Sequence, residues 1–179
     1  MTLPCQQAKE PAVRNSGVRD PKSIRWVVIH SAEALSALSV ASYFASPSAA
    51  GSAHVVVDDK RCLITLPLNV IPWGAPGANT RGYHIELAGR AAWSREQWLA
   101  HPSMLKKAAE VVAFTCARFD IPARWVGPWG LRVLRPGITT HADVSRAFRR
   151  SDHWDPGPGF PKDYFLQHVR AALISYKTP

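Results

Sequence analysis

Residues 23–30 read SIRWVVIH. The run is short, apolar and rich in β-branched side chains, which marks a strand buried on both faces, and such strands belong to sheets covered by helices. It ends in His30, and an imidazole at the end of a buried strand reaches into a cleft from a rigid backbone. Downstream, SAEALSALSVASYFA (31–45) suits a helix that stops near Ser46-Pro47. SAHVVVDDKRCLITL (52–66) reads as a hairpin around the polar turn Asp58–Arg61, which lacks the usual glycine. YHIELAG (83–89) reads as a further strand closed by Gly89. Strands interspersed with helices imply an α/β domain with a covered sheet.

The flanking stretches are less regular. Residues 1–22 are polar with three prolines and read as an irregular lead-in. Residues 67–82 hold three prolines and three glycines, a loop over or beside a site. Residues 94–120 open with Ser-x-x-Gln, a capping-box pattern, and place Leu105, Ala109, Val112 and Cys116 on one face. They predict a long core-packed helix with Pro102 near its first turns. Residues 121–137, rich in Pro, Gly and Trp, read as loop. Residues 161–175 start with Pro and carry Phe165, Val169 and Leu173 at helical spacing, a closing helix. There is no internal repeat.

The chain has 179 residues, 46% of them hydrophobic and 20% charged, enough for one well-cored domain and too apolar for disorder. Its net charge of +9 favours a polyanionic partner: nucleic acid, an acidic membrane surface or an anionic cell-wall polymer. The three cysteines, Cys5, Cys62 and Cys116, form no Cys-x-x-Cys pair and are odd in number. They argue against a disulfide framework and for synthesis in a reducing compartment. The start, MTLPCQQAKEPAVR, has no apolar core of a secretory signal, so the expectation is a chain made in the cytoplasm. No apolar run approaches the ~18 residues of a membrane span.

Candidate chemistry lies in SDHWDPGP (151–158). Proline and glycine here make Asp155 the opening of a rigid turn, which either orders the turn alone or holds a carboxylate for chemistry. Of seven histidines, His101 and His168 fall on predicted helices among solvent-type residues and are set aside. His141 follows Gly-Ile-Thr-Thr at the edge of a regular segment, 14 residues before Asp155. Two imidazoles and one carboxylate, with water in a fourth position, form a catalytic zinc arrangement. No His-Glu-x-x-His helix is present, so the residues alone leave the metal and turn-ordering readings both open. Glu86 lies between Ile85 and Leu87, which point to the other face by the two-residue period, so Glu86 and His84 share one polar side of their strand.

Taken together, VVIHSAE (27–33), GYHIELAG (82–89), GITTHADVS (137–145) and SDHWDPGPGFP (151–161) resemble the zinc-dependent N-acetylmuramoyl-L-alanine amidases shared by phage lysozyme-like amidases and peptidoglycan recognition proteins. SAHVVVDD and PWGAPGAN fit as intermediate markers, and the likeness runs in order from about residue 24 to residue 173. The resemblance implies a single amidase domain over 23–176, with a central mixed β-sheet flanked by helices. It implies Zn2+ held by His30, His141 and Asp155, and Glu86 activating water. The position two before the third ligand is often lysine in the family and is His153 here, which implies an oxyanion contact from a histidine. Other branches use a tyrosine before the hairpin histidine; here Ala53 precedes His54, which shifts that weight to Glu86.

Trp73, Asn79 and Trp154 are then groove residues, and the tryptophans at 125 and 129 either line the groove or serve in packing. His54 is either a groove residue or a support behind the ligands. The implied reaction is hydrolysis of the amide between N-acetylmuramic acid and L-alanine in peptidoglycan. The setting implied is a monomeric, bacteriolytic phage endolysin that reaches the wall after a holin opens the membrane, its basic surface meeting an anionic wall polymer and no nucleic acid. The alternatives are a cytosolic muropeptide-recycling amidase and a non-catalytic peptidoglycan binder, a class that typically lacks the third ligand.

Overall fold

The computed structural model describes residues 3–177. Its strands are β1 (Gln6–Gln7), β2 (Asn15–Val18), β3 (Trp26–Ser31), β4 (Val55–Val57), β5 (Cys62–Ile64), β6 (Val70–Pro72), β7 (Gly82–Leu87) and β8 (Gly137–Thr140). Its helices are α1 (Ala37–Ala45), α2 (Arg95–Leu99), α3 (Pro102–Phe119), α4 (Pro128–Arg132), α5 (His141–Phe148) and α6 (Lys162–Lys177). Six strands form one mixed sheet in the order β1-β5-β4-β7-β3-β8, and β2 pairs with β6 in a separate ribbon. Only β4 and β5 run antiparallel within the six-stranded sheet. The expected mixed sheet flanked by helices is the one observed.

Alternation along the strands sets the layers. Val27 and Ile29 of β3, Tyr83, Ile85 and Leu87 of β7, and Ile138 of β8 face one way, into the core built with α3 and α6. On the opposite face Trp26 and Val28 pack with Leu131 and Val144 of α4 and α5, and Val56 and Leu63 pack against Val40, Ala41 and Phe44 of α1. Burial on both faces is why residues 26–29, WVVI, read as an unbroken apolar run.

Four features depart from the sequence reading. The first 22 residues are not simply irregular: Gln6–Gln7 extends the sheet beside β5, and Asn15–Val18 pairs with β6. Cys5 and Cys62 form a disulfide across 57 residues, which corrects the expectation of reduced cysteines; Cys116 is buried in α3. The predicted long helix is divided into α2 and α3 because Pro102 disfavours helical geometry at His101, which sits at φ −113° and ψ 55°. The segment 121–137 contains the short helix α4.

The hairpin turn without glycine is organised by Asp58. One carboxylate oxygen accepts from the backbone N–H groups of Lys60 and Arg61 at 2.7 and 2.6 Å, and the other accepts from the Ala37 N–H at 2.8 Å, tying the turn to the start of α1. A second buried support is Arg19. Its guanidinium donates to the carbonyls of Leu68, Asn79, Thr80 and Gly82, holding the proline- and glycine-rich loop 67–82 against the sheet.

Candidate metal centre

Parallel strands bring the chemistry together at their carboxyl ends. His30 is the fifth residue of β3 and is paired in register with Glu86 of β7, while His141 follows β8 directly as the first residue of α5. By alternation His30, His84 and Glu86 project to the face opposite α3, as the sequence reading placed His84 and Glu86. Asp155 enters from the turn 151–158. That turn is seated by its glycine: Gly157 has φ +87°, and a Cβ there would run into the Ala91 carbonyl. The Asp155 carbonyl also accepts the Ala142 N–H at 2.9 Å, which locks the turn to α5.

Three buried donors converge. His30 Nδ1 and His141 Nδ1 are 3.1 Å apart, His141 Nδ1 is 3.2 Å from one Asp155 oxygen, and His30 Nδ1 is 3.3 Å from the other. A tetrahedral site with bonds of about 2.0–2.1 Å places neighbouring donors about 3.3 Å apart, and each of these separations is of that size, although the two histidines approach different Asp155 oxygens. Asp155 Oδ2 and Glu86 Oε2 are buried with no hydrogen-bond partner among the described residues, as carboxylate oxygens facing a cation and its water would be. The donor set and its spacing therefore fit zinc.

The outer nitrogens of the two rings are also placed. His30 Nε2 lies 3.0 Å from His84 Nδ1, and His141 Nε2 lies 3.4 Å from the Ser151 hydroxyl, itself 2.7 Å from the Ser145 hydroxyl. Such contacts fix the tautomer that turns Nδ1 inward. Burial pushes the Glu86 carboxyl up to about 7, with Asp155 and Glu33 adding to the rise and His30 opposing it. Burial would also raise Asp155, but the nearness of His141 and His30, at 3.2 and 3.3 Å, holds it well below the usual carboxylate range. His141 is drawn down to about 4 by burial, and His84 lies well below the ordinary histidine value for the same reason, with His30, His54 and Arg19 adding to the depression.

A cleft of about 850 Å³ opens over these groups. Glu86, His153, Trp154, Trp73 and Asn79 line it with the three candidate ligands. His153 stacks on His141 with ring centroids 4.2 Å apart, and its Nδ1 is 3.2 Å from Asp155. Trp73 is exposed, donates its indole N–H to Ser16 and is covered by Arg14. Asn79 mainly orders its own loop, accepting from the N–H groups of Gly74 and Ala75.

Not every expected residue reaches the cleft. His54 is fully buried behind His84: its Nδ1 accepts the His84 backbone N–H at 3.0 Å, and its Nε2 is 3.1 Å from the Val70 carbonyl. It is a support, which corrects the groove assignment. Trp125 donates to the Lys162 carbonyl and packs on Phe160 and Phe165, and neither it nor Trp129 lines the cleft. Two residues the sequence reading passed over do line it. Glu33, in left-handed backbone at φ 53°, accepts from Ser31 and the Ala91 N–H, and Tyr43 extends from α1. A lone Glu before a helix or Tyr near a helix end carries no signal of this in one sequence.

A mixed sheet with a buried His-His-Asp group that could hold a metal at the carboxyl ends of its parallel strands has the donor set of a metal-dependent hydrolase. The profile described as N-acetylmuramoyl-L-alanine amidase matches residues 20–158, and the chain belongs to that family. Among solved structures, the Staphylococcus aureus hydrolase AmiA in complex with its ligand is similar at a TM-score of 0.76 and 16% identity, over 97% of this chain and 85% of that one. A mutant endolysin from Bacillus subtilis is similar at 0.64 and 18%, over 94% and 99%. The N-acetylmuramoyl-L-alanine amidase LysC from Clostridium intestinale is similar at 0.58 and 14%, over 90% and 97%. A search of curated proteins finds no match. No described helix is long and apolar enough to cross a membrane.

Proposed function

We infer that this protein is a zinc-dependent amidase that hydrolyses the bond between N-acetylmuramic acid and L-alanine in peptidoglycan. The observation that carries this reading is the triangle of His30, His141 and Asp155 donors with Glu86 Oε1 4.0 Å from His30 Nδ1 on the same side. His30, His141 and Asp155 would hold the metal, and bound zinc supplies Lewis-acid activation of water and of the scissile carbonyl.

The remaining work falls to the protein. Glu86, raised to about 7 by burial, takes the proton of the attacking water and returns it to the leaving amine nitrogen, so one water and one amide become a carboxylic acid and an amine. His153, on the cleft wall against His141, donates a hydrogen bond to the amide oxygen as charge develops there. Trp73 and Trp154 flank the cleft as flat surfaces for the glycan and the stem peptide.

An endolysin acting on a host wall suits the chain better than a cytosolic recycling enzyme. The Cys5–Cys62 disulfide supports this, because such bonds persist outside the reducing cytosol. A non-catalytic binder is disfavoured by the third ligand, Asp155, and by Glu86.

The test is metal content of the purified protein paired with release of stem peptide from purified peptidoglycan, before and after chelation. One zinc per chain, with release abolished by chelator and restored by zinc, is the expected result. Stoichiometric zinc without release would leave a binding protein, and release that ignores chelation would overturn the metal assignment.

A further inference from the structure

Away from the cleft, α4 and the loop after it turn apolar side chains to solvent. Trp129 is 64% exposed, Val133 52% and Leu134 42%. Leu134 holds left-handed backbone at φ 57°, a conformation that leucine resists and that Gly or Asn takes readily at a helix end. Hydrogen bonds from the Leu134 N–H to Leu131 and from the Arg135 N–H to Gly130 hold that turn, and the Arg135 guanidinium lies 5.4 Å from the Trp129 ring centroid.

The surroundings are strongly basic. Between residues 121 and 151 stand six arginines, Arg124, Arg132, Arg135, Arg146, Arg149 and Arg150, and all six are exposed. The one acid in that stretch, Asp143, is buried and taken up by Thr140, Lys162 and Arg146. Backbone contacts add Arg25 and Arg81 beside Gly137 and Trp26.

The patch also has a direction. Trp26 donates its indole N–H to the Arg135 carbonyl at 2.9 Å, and Trp26, Gly82 and Gly137 are the first residues of β3, β7 and β8, in register. The patch therefore lies at the amino ends of the parallel strands, and the candidate metal centre at their carboxyl ends, about 13 Å farther along the strands.

We propose that this end of the molecule docks on a bilayer containing anionic phospholipid, with Trp129, Val133 and Leu134 entering the interface and the arginines meeting lipid phosphates. An anionic polymer or nucleic acid would pair with the arginines but gains nothing from exposed Val133 and Leu134, whereas the boundary of a membrane takes both. Docked in this way, the chain turns its cleft away from the membrane. The inference goes beyond the amidase reading and stands without it.

The test is co-sedimentation of the full chain with vesicles of phosphatidylglycerol and phosphatidylcholine, against phosphatidylcholine alone, using chelated protein so that catalysis plays no part. Wild type binds the anionic vesicles, and more weakly as salt rises. The pair Trp129→Ser and Leu134→Asn lowers that binding by about tenfold. Arg124→Gln and Arg135→Gln each lower it about fivefold. Leu134→Asn alone keeps or raises Tm, since Asn accepts the left-handed turn, so lost binding is separable from lost folding. Absence of wild-type binding to anionic vesicles overturns the proposal. So does equal binding by the Trp129→Ser, Leu134→Asn pair, or a loss in that pair that appears with polyphosphate or DNA and not with vesicles.

Discussion

His30 and His84 are joined ring to ring, with His30 Nε2 3.0 Å from His84 Nδ1. With His30 Nδ1 holding a metal, its proton would sit on Nε2 and be donated to His84 Nδ1, which would leave the His84 proton on Nε2. That nitrogen is buried and has no partner among the described residues, and Gly74 and Gly82 pack so closely on the ring that a Cβ at either would collide with it. The ring is held by shape and by the His54 contact to its backbone.

Replacing His84 should therefore act through His30. His84→Ala is expected to weaken zinc binding about 10–100-fold, with activity recovering as zinc is raised. Competition against a chromophoric chelator measures it. Unchanged affinity would show that His30 is oriented by its strand alone.

Removal of one ligand should be more severe. Asp155→Asn keeps the volume and the turn but removes the charge, and is expected to abolish stoichiometric zinc and the thermal stabilisation that added zinc gives wild type. Metal analysis and a thermal shift read the two effects separately.

Glu86 offers a pH signature. In the metal-free protein its carboxyl keeps its proton up to about 7, while the unfolded chain releases it near 4.5, so this group makes the fold less stable as pH rises from about 4.5 to about 7. Glu86→Gln removes that loss. Above pH 7 the variant should exceed wild type by at most about 3–4 kcal/mol, with no gain at pH 4.5. It should also lower peptide release roughly 10²–10⁴-fold while keeping its zinc. Urea unfolding at the two pH values and metal analysis decide both parts.

Arg19 should be a stability residue with no part in chemistry. Burial draws its guanidinium down to about 10, and its hydrogen bonds go to four backbone carbonyls of the 67–82 loop. Arg19→Met is expected to lower stability by about 2–4 kcal/mol and to raise KM more than it lowers kcat, because Trp73 and Asn79 stand on that loop. Denaturation and steady-state kinetics test the split.

The legibility of these features follows their physics. β3 was readable because burial on both faces demands β-branched and aromatic side chains, and β7 because Tyr83, Ile85 and Leu87 alternate with polar His84 and Glu86. The hairpin was readable for the same reason as β3, although Asp58 did the work expected of a glycine. His30, His141 and Asp155 lie in segments far apart, and spacing alone left them undecided; the ordered motifs singled them out and the parallel strands bring them together. β1 and β2 pair through backbone groups of polar residues, which leave no hydropathy pattern. Cys5–Cys62 is a contact across 57 residues with no local signal, and Arg19 looks in sequence like any surface arginine.

That disulfide has a consequence for a chain exposed to proteases. Lys60 and Arg61 stand in the exposed hairpin turn, and a cut after either falls between the two bonded cysteines. The severed pieces would stay covalently joined. One would carry His30 and the other Glu86, His141 and Asp155, with β3 still clasped between β7 and β8. Such a molecule is one band until it is reduced and two afterwards: it can be nicked without being taken apart.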